Sequence, residues 1–72
     1  MSDDKASIIR TGKKLRAARR KNHFTQAEIA KKAGISENHY AQIERGEKNP
    51  TISNFKKIIK AIGVMSTEIL GD

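Results

Sequence analysis

The amino-acid sequence predicts an all-α fold, a compact bundle of five short helices in a single domain over residues 1–72. Apolar residues recur at helical spacing, and no segment shows the strict alternation of a half-buried strand. The one proline and most of the five glycines fall between the periodic segments, where helices end. Because the chain has no cysteine, packing rather than disulfides must hold this small domain together. Residues 1–6 are expected to form a flexible arm.

The first helix is predicted over about residues 7–22. Ile8, Leu15 and Ala18 form its apolar stripe, and Gly12 lies on the same side, where it allows another helix to approach closely. The opposite face carries six cations, Arg10, Lys13, Lys14, Arg16, Arg20 and Lys21. This basic face is either simply solvated or lies near the phosphates of a partner, and the sequence favours neither alternative.

The second helix has the clearest start signal, a capping box at residues 25–28 (TQAE). In such a box the threonine hydroxyl accepts from the third amide, while the glutamate accepts from the threonine amide. Ile29, Ala30 and Ala33 form the apolar face that follows. Gly34 then stands where a left-handed residue ends a helix.

The third helix is predicted from the N-cap Ser36 to about Arg45, with Tyr40 and Ile43 facing inward. Only Ile35 separates its cap from the glycine that ends the second helix. A connection this short prevents the two helices from lying antiparallel, so they must cross steeply, as in a helix-turn-helix.

The fourth helix is predicted to begin at Thr51 or Ser53 and to end before Gly63. Lysines lie opposite its apolar stripe, which consists of Phe55, Ile58, Ile59 and Ile62. A last short helical turn is predicted over residues 66–70.

The charge of the chain favours a polyanionic partner. Fifteen Lys and Arg against eight Asp and Glu give a net charge of +7, and residues 1–24 hold eight of the cations. Nucleic acid, an anionic membrane surface or an acidic protein would each satisfy this excess. No run approaches the roughly 20 apolar residues of a membrane span. The acidic start lacks the apolar segment of a secretory signal, so a cytoplasmic protein without membrane contact is expected.

Five segments of the chain, in this order, resemble the phage-repressor and Cro-type helix-turn-helix family, also called the XRE family. They are residues 12–19 (GKKLRAAR), 25–30 (TQAEIA), 43–46 (IERG), 49–52 (NPTI) and 62–64 (IGV). The resemblance covers about residues 8–70 and departs from the family at His23, where a glycine is common. Asn22 and His23 must therefore form the bend before the second helix, and Asn tolerates left-handed geometry better than most residues.

The resemblance implies that the third helix enters the major groove of double-stranded DNA. Its outward side chains would then read bases: Glu37, Asn38, Ala41 and Gln42, with His39 at the boundary. Asn and Gln can each bind an adenine edge through two hydrogen bonds, and Glu can accept from cytosine N4. Asn38 and Gln42 are the expected main readers, whereas Glu37 either reads a base or only favours the positive end of its helix.

The same resemblance implies phosphate contacts and one structural ion pair. The expected phosphate-binding residues are Gln26, Ser36, Arg45, Lys48 and Asn49. Its role as the N-cap of the third helix would by itself also explain a serine at position 36. Arg19 and Glu44 are expected to pair beneath the third helix, as matching family members do, and Tyr40 is expected in the core.

The predicted function is therefore a sequence-specific, repressor-like transcriptional regulator that binds a two-fold symmetric operator as a homodimer. The dimer surface is expected near the fifth helix, where four apolar residues exceed what one small core can bury. They are Val64, Met65, Ile69 and Leu70. The alternative is an antitoxin or another interaction module of the same fold that also binds a partner protein. Antitoxins often add a tail or strand, and only two residues follow Leu70 here.

No enzyme activity is expected, because the chain has no cysteine nucleophile, no glycine-rich phosphate loop and no suitably paired carboxylates. No cofactor, metal or small-molecule effector is expected either. The two histidines, His23 and His39, lack the cysteine partners of a structural metal site.

Overall fold

The computed structural model of the protein describes residues 5–71, and this range contains five α-helices and no strand. The helices are α1 (Lys5–Lys21), α2 (Gln26–Ala33), α3 (Glu37–Glu44), α4 (Ile52–Ile62) and α5 (Ser66–Leu70). The predicted all-α, five-helix fold is confirmed. Residues 5 and 6 belong to α1 rather than to the expected arm, whose remainder, residues 1–4, lies outside the described residues.

The predicted helix starts are formed by side-chain caps. Thr25 Oγ1 accepts from the Glu28 amide at 3.1 Å, and Glu28 Oε1 accepts from the Thr25 amide at 2.8 Å, which completes the capping box of α2. Ser36 Oγ accepts from the His39 amide at 3.0 Å at the start of α3. Thr51, not Ser53, caps α4. These caps satisfy amides that have no partner within the helix, and so they define where each helix begins.

The turn between α2 and α3 consists of Gly34, Ile35 and Ser36. Gly34 has φ +75°, a value that glycine adopts without steric strain, and its amide donates to the carbonyls of Ala30 and Lys31. The Ile35 amide also donates to the Ala30 carbonyl at 3.0 Å. The last turn of α2 therefore holds the connection, and α3 starts at a defined position relative to α2.

One buried cluster joins all five helices. Its largest fully buried side chains are Leu15, Ile29, Tyr40, Ile43 and Ile58, and Ile69 of α5 completes it. Tyr40 is a core residue, as expected. At Gly12, a Cβ would lie 2.5 Å from the carbonyl oxygens of both Ile43 and Glu44, so α1 can contact the end of α3 only through a glycine.

Two residues that were expected at the surface are buried. Ala41 is 8% exposed, because α3 packs against both α1 and α2 and its buried side is therefore wider than one stripe. Ile69 is 3% exposed, because α5 packs against α1 and inserts this side chain into the core. The expected outward orientation of Ala41 and the expected place of Ile69 on a dimer surface were both wrong.

The bend before α2 places the left-handed residue at His23, which has φ +64°. Asn22 and His23 were together expected to form this bend, and the side-chain nitrogen Nδ2 of Asn22 donates to the Ala18 carbonyl at 2.8 Å. Asn22 therefore completes the end of α1, and the reversal falls on the next residue. No helix among residues 5–71 is long and apolar enough to cross a membrane.

Candidate nucleic-acid interface

Several polar side chains of α3 remain outside the core. Glu37 and Asn38 are exposed, and His39 and Gln42 are half-buried. Tyr40, fully buried between them, fixes the rotation of the helix about its axis. Four of the predicted base-reading residues are therefore accessible on α3, whereas Ala41 is not.

Arg19 of α1 and Glu44 of α3 form a buried ion pair. Arg19 Nε donates to Glu44 Oε2 at 2.7 Å, and Nη2 donates to Oε1 at 3.0 Å. The side chains are 10% and 2% exposed. Arg19 Nη1 also donates to the Phe24 carbonyl at 2.8 Å. This bidentate pair therefore connects α1 both to the end of α3 and to the loop before α2.

The ionised forms of both partners are stabilised. The hydrogen bond to Glu44 raises the pKa of Arg19. Burial alone would raise the pKa of Glu44, but the hydrogen bonds that it accepts, above all from Arg19, hold its pKa below the ordinary value. The neighbouring Tyr40 hydroxyl is buried and makes no hydrogen bond within residues 5–71, and burial raises the pKa of this phenol, which stays neutral.

Gln26, the first residue of α2, is connected to the same pair. Its Nε2 donates to Glu44 Oε1 at 3.0 Å, so one of its two amide hydrogens is committed inside the protein. The side chain is half-buried, and the second hydrogen and the carbonyl oxygen remain for an external ligand. Glu44 therefore orients the carboxamide that was expected to bind phosphate.

An open cleft of about 630 Å³ lies between α1, the start of α2 and both ends of α3. Three arginines without a buried carboxylate partner line it, namely Arg16, Arg20 and Arg45. Gln26 and Glu37 line it as well. Since the charges of Arg19 and Glu44 balance each other, the cleft is positively charged and adjoins the exposed side of α3.

The remaining predicted phosphate-binding residues lie outside this cleft. Lys48 and Asn49 are exposed in the loop after α3, and Asn49 lines a different groove. Ser36 is exposed, and its hydroxyl caps α3. Arg45, by contrast, lines the cleft and also makes an ion pair with Glu47.

Sequence reasoning left the role of the basic face of α1 open, and it missed the contact of Glu47 with Arg45. The structure divides that face. Arg16 and Arg20, four residues apart and therefore on one side of a helix, line the cleft. Lys14 instead donates to the Gly71 carbonyl at 3.0 Å and holds the end of α5. The i, i+4 spacing of the two arginines was the available signal.

Comparison with known proteins gives consistent results. A family model described as helix-turn-helix matches residues 15–69. The immunity repressor protein of Bacillus phage phi105 is 33% identical over 61 residues, which cover 85% of this chain and 42% of the repressor. The chain therefore spans less than half the length of that relative.

Two further relatives, named as a control protein and a controller protein, are matched over most of their length. The control protein C.MunI from a Mycoplasma species is 31% identical over 65 residues, which cover 89% of this chain and 88% of C.MunI. The crystal structure of the restriction-modification controller protein C.AhdI from Aeromonas hydrophila superposes with a TM-score of 0.87 at 25% identity, and the match covers 90% of this chain and 98% of C.AhdI. This chain therefore belongs to the XRE-type helix-turn-helix family of DNA-binding transcriptional regulators.

Proposed function

We propose that this chain is a sequence-specific regulator that binds double-stranded DNA as a homodimer, on a two-fold symmetric operator, in the cytoplasm at the nucleoid. The observation that carries the proposal is the exposed polar side of α3, which adjoins a cleft lined by arginines. In this arrangement α3 enters the major groove, where base edges differ, while the cations contact the backbone on either side. Transcription would be repressed where the operator overlaps a promoter.

Base reading is assigned to Asn38 and Gln42, with Glu37 and His39 beside them. Asn38 is exposed and Gln42 half-buried four residues later, so both lie on the side of α3 that points away from Tyr40. A carboxamide that makes two hydrogen bonds to adenine discriminates by about 1–3 kcal/mol. Glu37 would accept from a cytosine amino group or disfavour other bases.

Backbone contacts are assigned to the cleft and to the loop after α3. Gln26 offers its second amide hydrogen at the start of α2, where the helix-end amides also favour an anion. Arg16, Arg20 and Arg45 line the same cleft, and Lys48 lies exposed in the loop. Such contacts set the position of the protein on DNA but carry no sequence information.

The proposed dimer surface is a groove of about 730 Å³ between α1, α4 and α5. Ile52 and Leu70, two exposed large apolar residues, line it together with the half-buried Phe55 and Ile59. This proposed interface no longer includes Ile69 and Val64, which the sequence had suggested, because Ile69 is in the core and Val64 packs against it. A second copy of the chain would cover these side chains. The α3 helices of the two protomers would then lie about 34 Å apart, which is one helical turn of DNA.

The DNA-binding assignment is tested by selecting bound duplexes from a random pool. Wild type is expected to enrich a two-fold symmetric site. Asn38→Ala and Gln42→Ala are expected to flatten the preference at individual positions and to retain weak general binding. Lys48→Ala, the matched control, is expected to weaken binding to all duplexes alike. It should also lower the slope of log affinity against log salt concentration by about 1 in magnitude. Enrichment without any sequence preference would reject base reading by α3.

The dimer surface is tested by sedimentation of Leu70→Asp. A buried carboxylate would oppose association, so the variant is expected to sediment as a monomer at concentrations where wild type sediments as a dimer. Lys57→Asp, at an exposed position of α4 that does not line the groove, is the control and should keep the wild-type mass. An unchanged mass for Leu70→Asp would exclude this groove as the interface.

A further inference from the structure

Arg45 and Glu47 form a bidentate ion pair at the surface, next to the proposed DNA-binding side. Arg45 Nε donates to Glu47 Oε2 at 2.9 Å, and Nη2 donates to Oε1 at 3.0 Å. The two side chains are 53% and 52% exposed, so both remain accessible to solvent. The pairing raises the pKa of Arg45 and lowers that of Glu47, and both groups stay charged.

The backbone holds Glu47 close to Arg45. Arg45 is the C-cap of α3, and Gly46 reverses the chain with φ +75°. The amides of Glu47 and Lys48 then donate to the Gln42 carbonyl at 2.9 and 3.3 Å, which ties the turn back to the helix. The carboxylate is therefore presented to the guanidinium by an ordered turn rather than by two freely moving chains.

A carboxylate and a phosphate bind a guanidinium in the same way, through two parallel N–H···O contacts. Glu47 occupies the Nε–Nη2 edge of Arg45 and cancels its charge, whereas Arg16 and Arg20, in the same cleft, make no ion pair with a carboxylate within residues 5–71. A DNA phosphate that approaches Arg45 must either displace the Glu47 carboxylate or lie beside a second anion. In both cases binding through Arg45 is weakened.

We propose that Glu47 is an internal competitor of DNA phosphates for Arg45, and that it holds the affinity of the protein for duplex DNA below what its cations would otherwise give. This inference rests on the proposed function, because it takes Arg45 to be a backbone contact. Since backbone contacts carry no sequence information, the competitor lowers the affinity for operator and random duplexes by the same factor.

The test is a double-mutant cycle on DNA affinity, in which Glu47→Gln removes the charge and keeps the shape. Deleting any negative charge near DNA raises affinity through the general field, so the single variant is not sufficient. Glu47→Gln is therefore measured in three backgrounds: wild type, Arg45→Ala and Lys48→Ala. An exposed ion pair is weak, and its removal is expected to raise wild-type affinity about two- to fivefold, for the operator and for a random duplex alike.

The gain in DNA affinity caused by Glu47→Gln is expected to persist in the Lys48→Ala background. It is expected to fall below about 1.5-fold in the Arg45→Ala background, because Glu47 can compete with phosphates only where Arg45 is present. Equal gains in all three backgrounds would overturn the competitor and leave DNA binding intact. Weaker binding by Glu47→Gln would also overturn it, because Glu47 would then support Arg45. Failure of wild type to bind any duplex would overturn the proposed function together with this inference.

Discussion

Two carboxylate–guanidinium pairs flank the end of α3, and they differ in burial rather than in geometry. Glu44 pairs with Arg19 through contacts of 2.7 and 3.0 Å, and Arg45 pairs with Glu47 through contacts of 2.9 and 3.0 Å. The first pair joins residues 25 apart in sequence and is buried, whereas the second joins residues two apart and is half exposed. Glu44 and Arg45 are adjacent in sequence, so their side chains leave α3 on different sides, and that side decides which partner each of them meets.

Contacts of similar length therefore have unequal consequences inside the protein and at its surface. Within the protein, water cannot replace a lost partner, so removing either Arg19 or Glu44 alone leaves a buried charge and destabilises the fold. The pair also orients Gln26. At the surface, water or another anion can replace either partner at little cost, so the Arg45–Glu47 pair is open to competition. The same chemistry is structural at Glu44 and exchangeable at the next residue, Arg45.

The largest effect is expected for Arg19→Ala. Its removal leaves the buried Glu44 carboxylate without its cation, which costs about 3–5 kcal/mol. For a domain of this size the melting temperature is expected to fall by more than about 12 °C in thermal unfolding followed by circular dichroism. Lys13→Ala, at an exposed position on the same helix, is the control and should change the melting temperature little. A similar fall for both variants would contradict a special role of the buried pair.

A smaller effect is expected from acid. Because the pKa of Glu44 is lowered in the folded protein, the unfolded chain takes up the proton first as the pH falls. The contribution of Glu44 is therefore complete above about pH 4.5 and is lost as the pH falls through the folded pKa. Glu44→Gln is expected to be less stable than wild type at pH 7, and its free energy of unfolding, from urea titrations at several pH values, should fall less steeply below pH 5.

Glu47→Gln is the comparison variant in the same acid titration. The pKa of Glu47 is also lowered, by an exposed partner, and salt screens exposed charges efficiently. In about 0.5 M salt its profile is expected to coincide with that of wild type, while that of Glu44→Gln remains distinct. If salt removed the difference for both variants, burial would not distinguish the two pairs.

The smallest effect is expected for the thermal stability of Arg45→Ala. Its side chain is exposed and its partner Glu47 is solvated when left alone, so the melting temperature should change by no more than about 4 °C. The same variant is expected to weaken DNA binding. A large loss of stability would show that the surface pair supports the turn after α3, and the comparison between the two pairs would fail.

Local signals in the sequence predicted the helix ends well. The capping box of Thr25 and Glu28, the caps Ser36 and Thr51, and the left-handed Gly34 each depend on residues within four positions of one another. The interactions that end a helix are formed by its own neighbouring residues, so they can be recognised without knowledge of the tertiary structure.

Edges of amphipathic faces were predicted less well. Ala41 and Ile69 each border an apolar stripe, and either assignment was compatible with the pattern. Their burial depends on how many helices pack against α3 and α5, which the periodicity of one helix does not contain. The site shows the same limit. Resemblance to the family, not spacing, suggested that Arg19 meets Glu44, and the contact of Gln26 with that carboxylate was not foreseen.

The amino-acid pattern was enough to predict that the chain forms five helices, that caps and glycines begin or end α2, α3 and α4, and that a short turn sets α3 against α2. These features follow from hydrogen bonds and side-chain periodicity within short segments. The packing of the helices was needed to establish which of the fifteen cations are paired, which line the cleft and which apolar residues remain at the surface. Those outcomes depend on distances between segments far apart in the chain, and the physical cause is the packing of α1 against α3 and of α4 against α2.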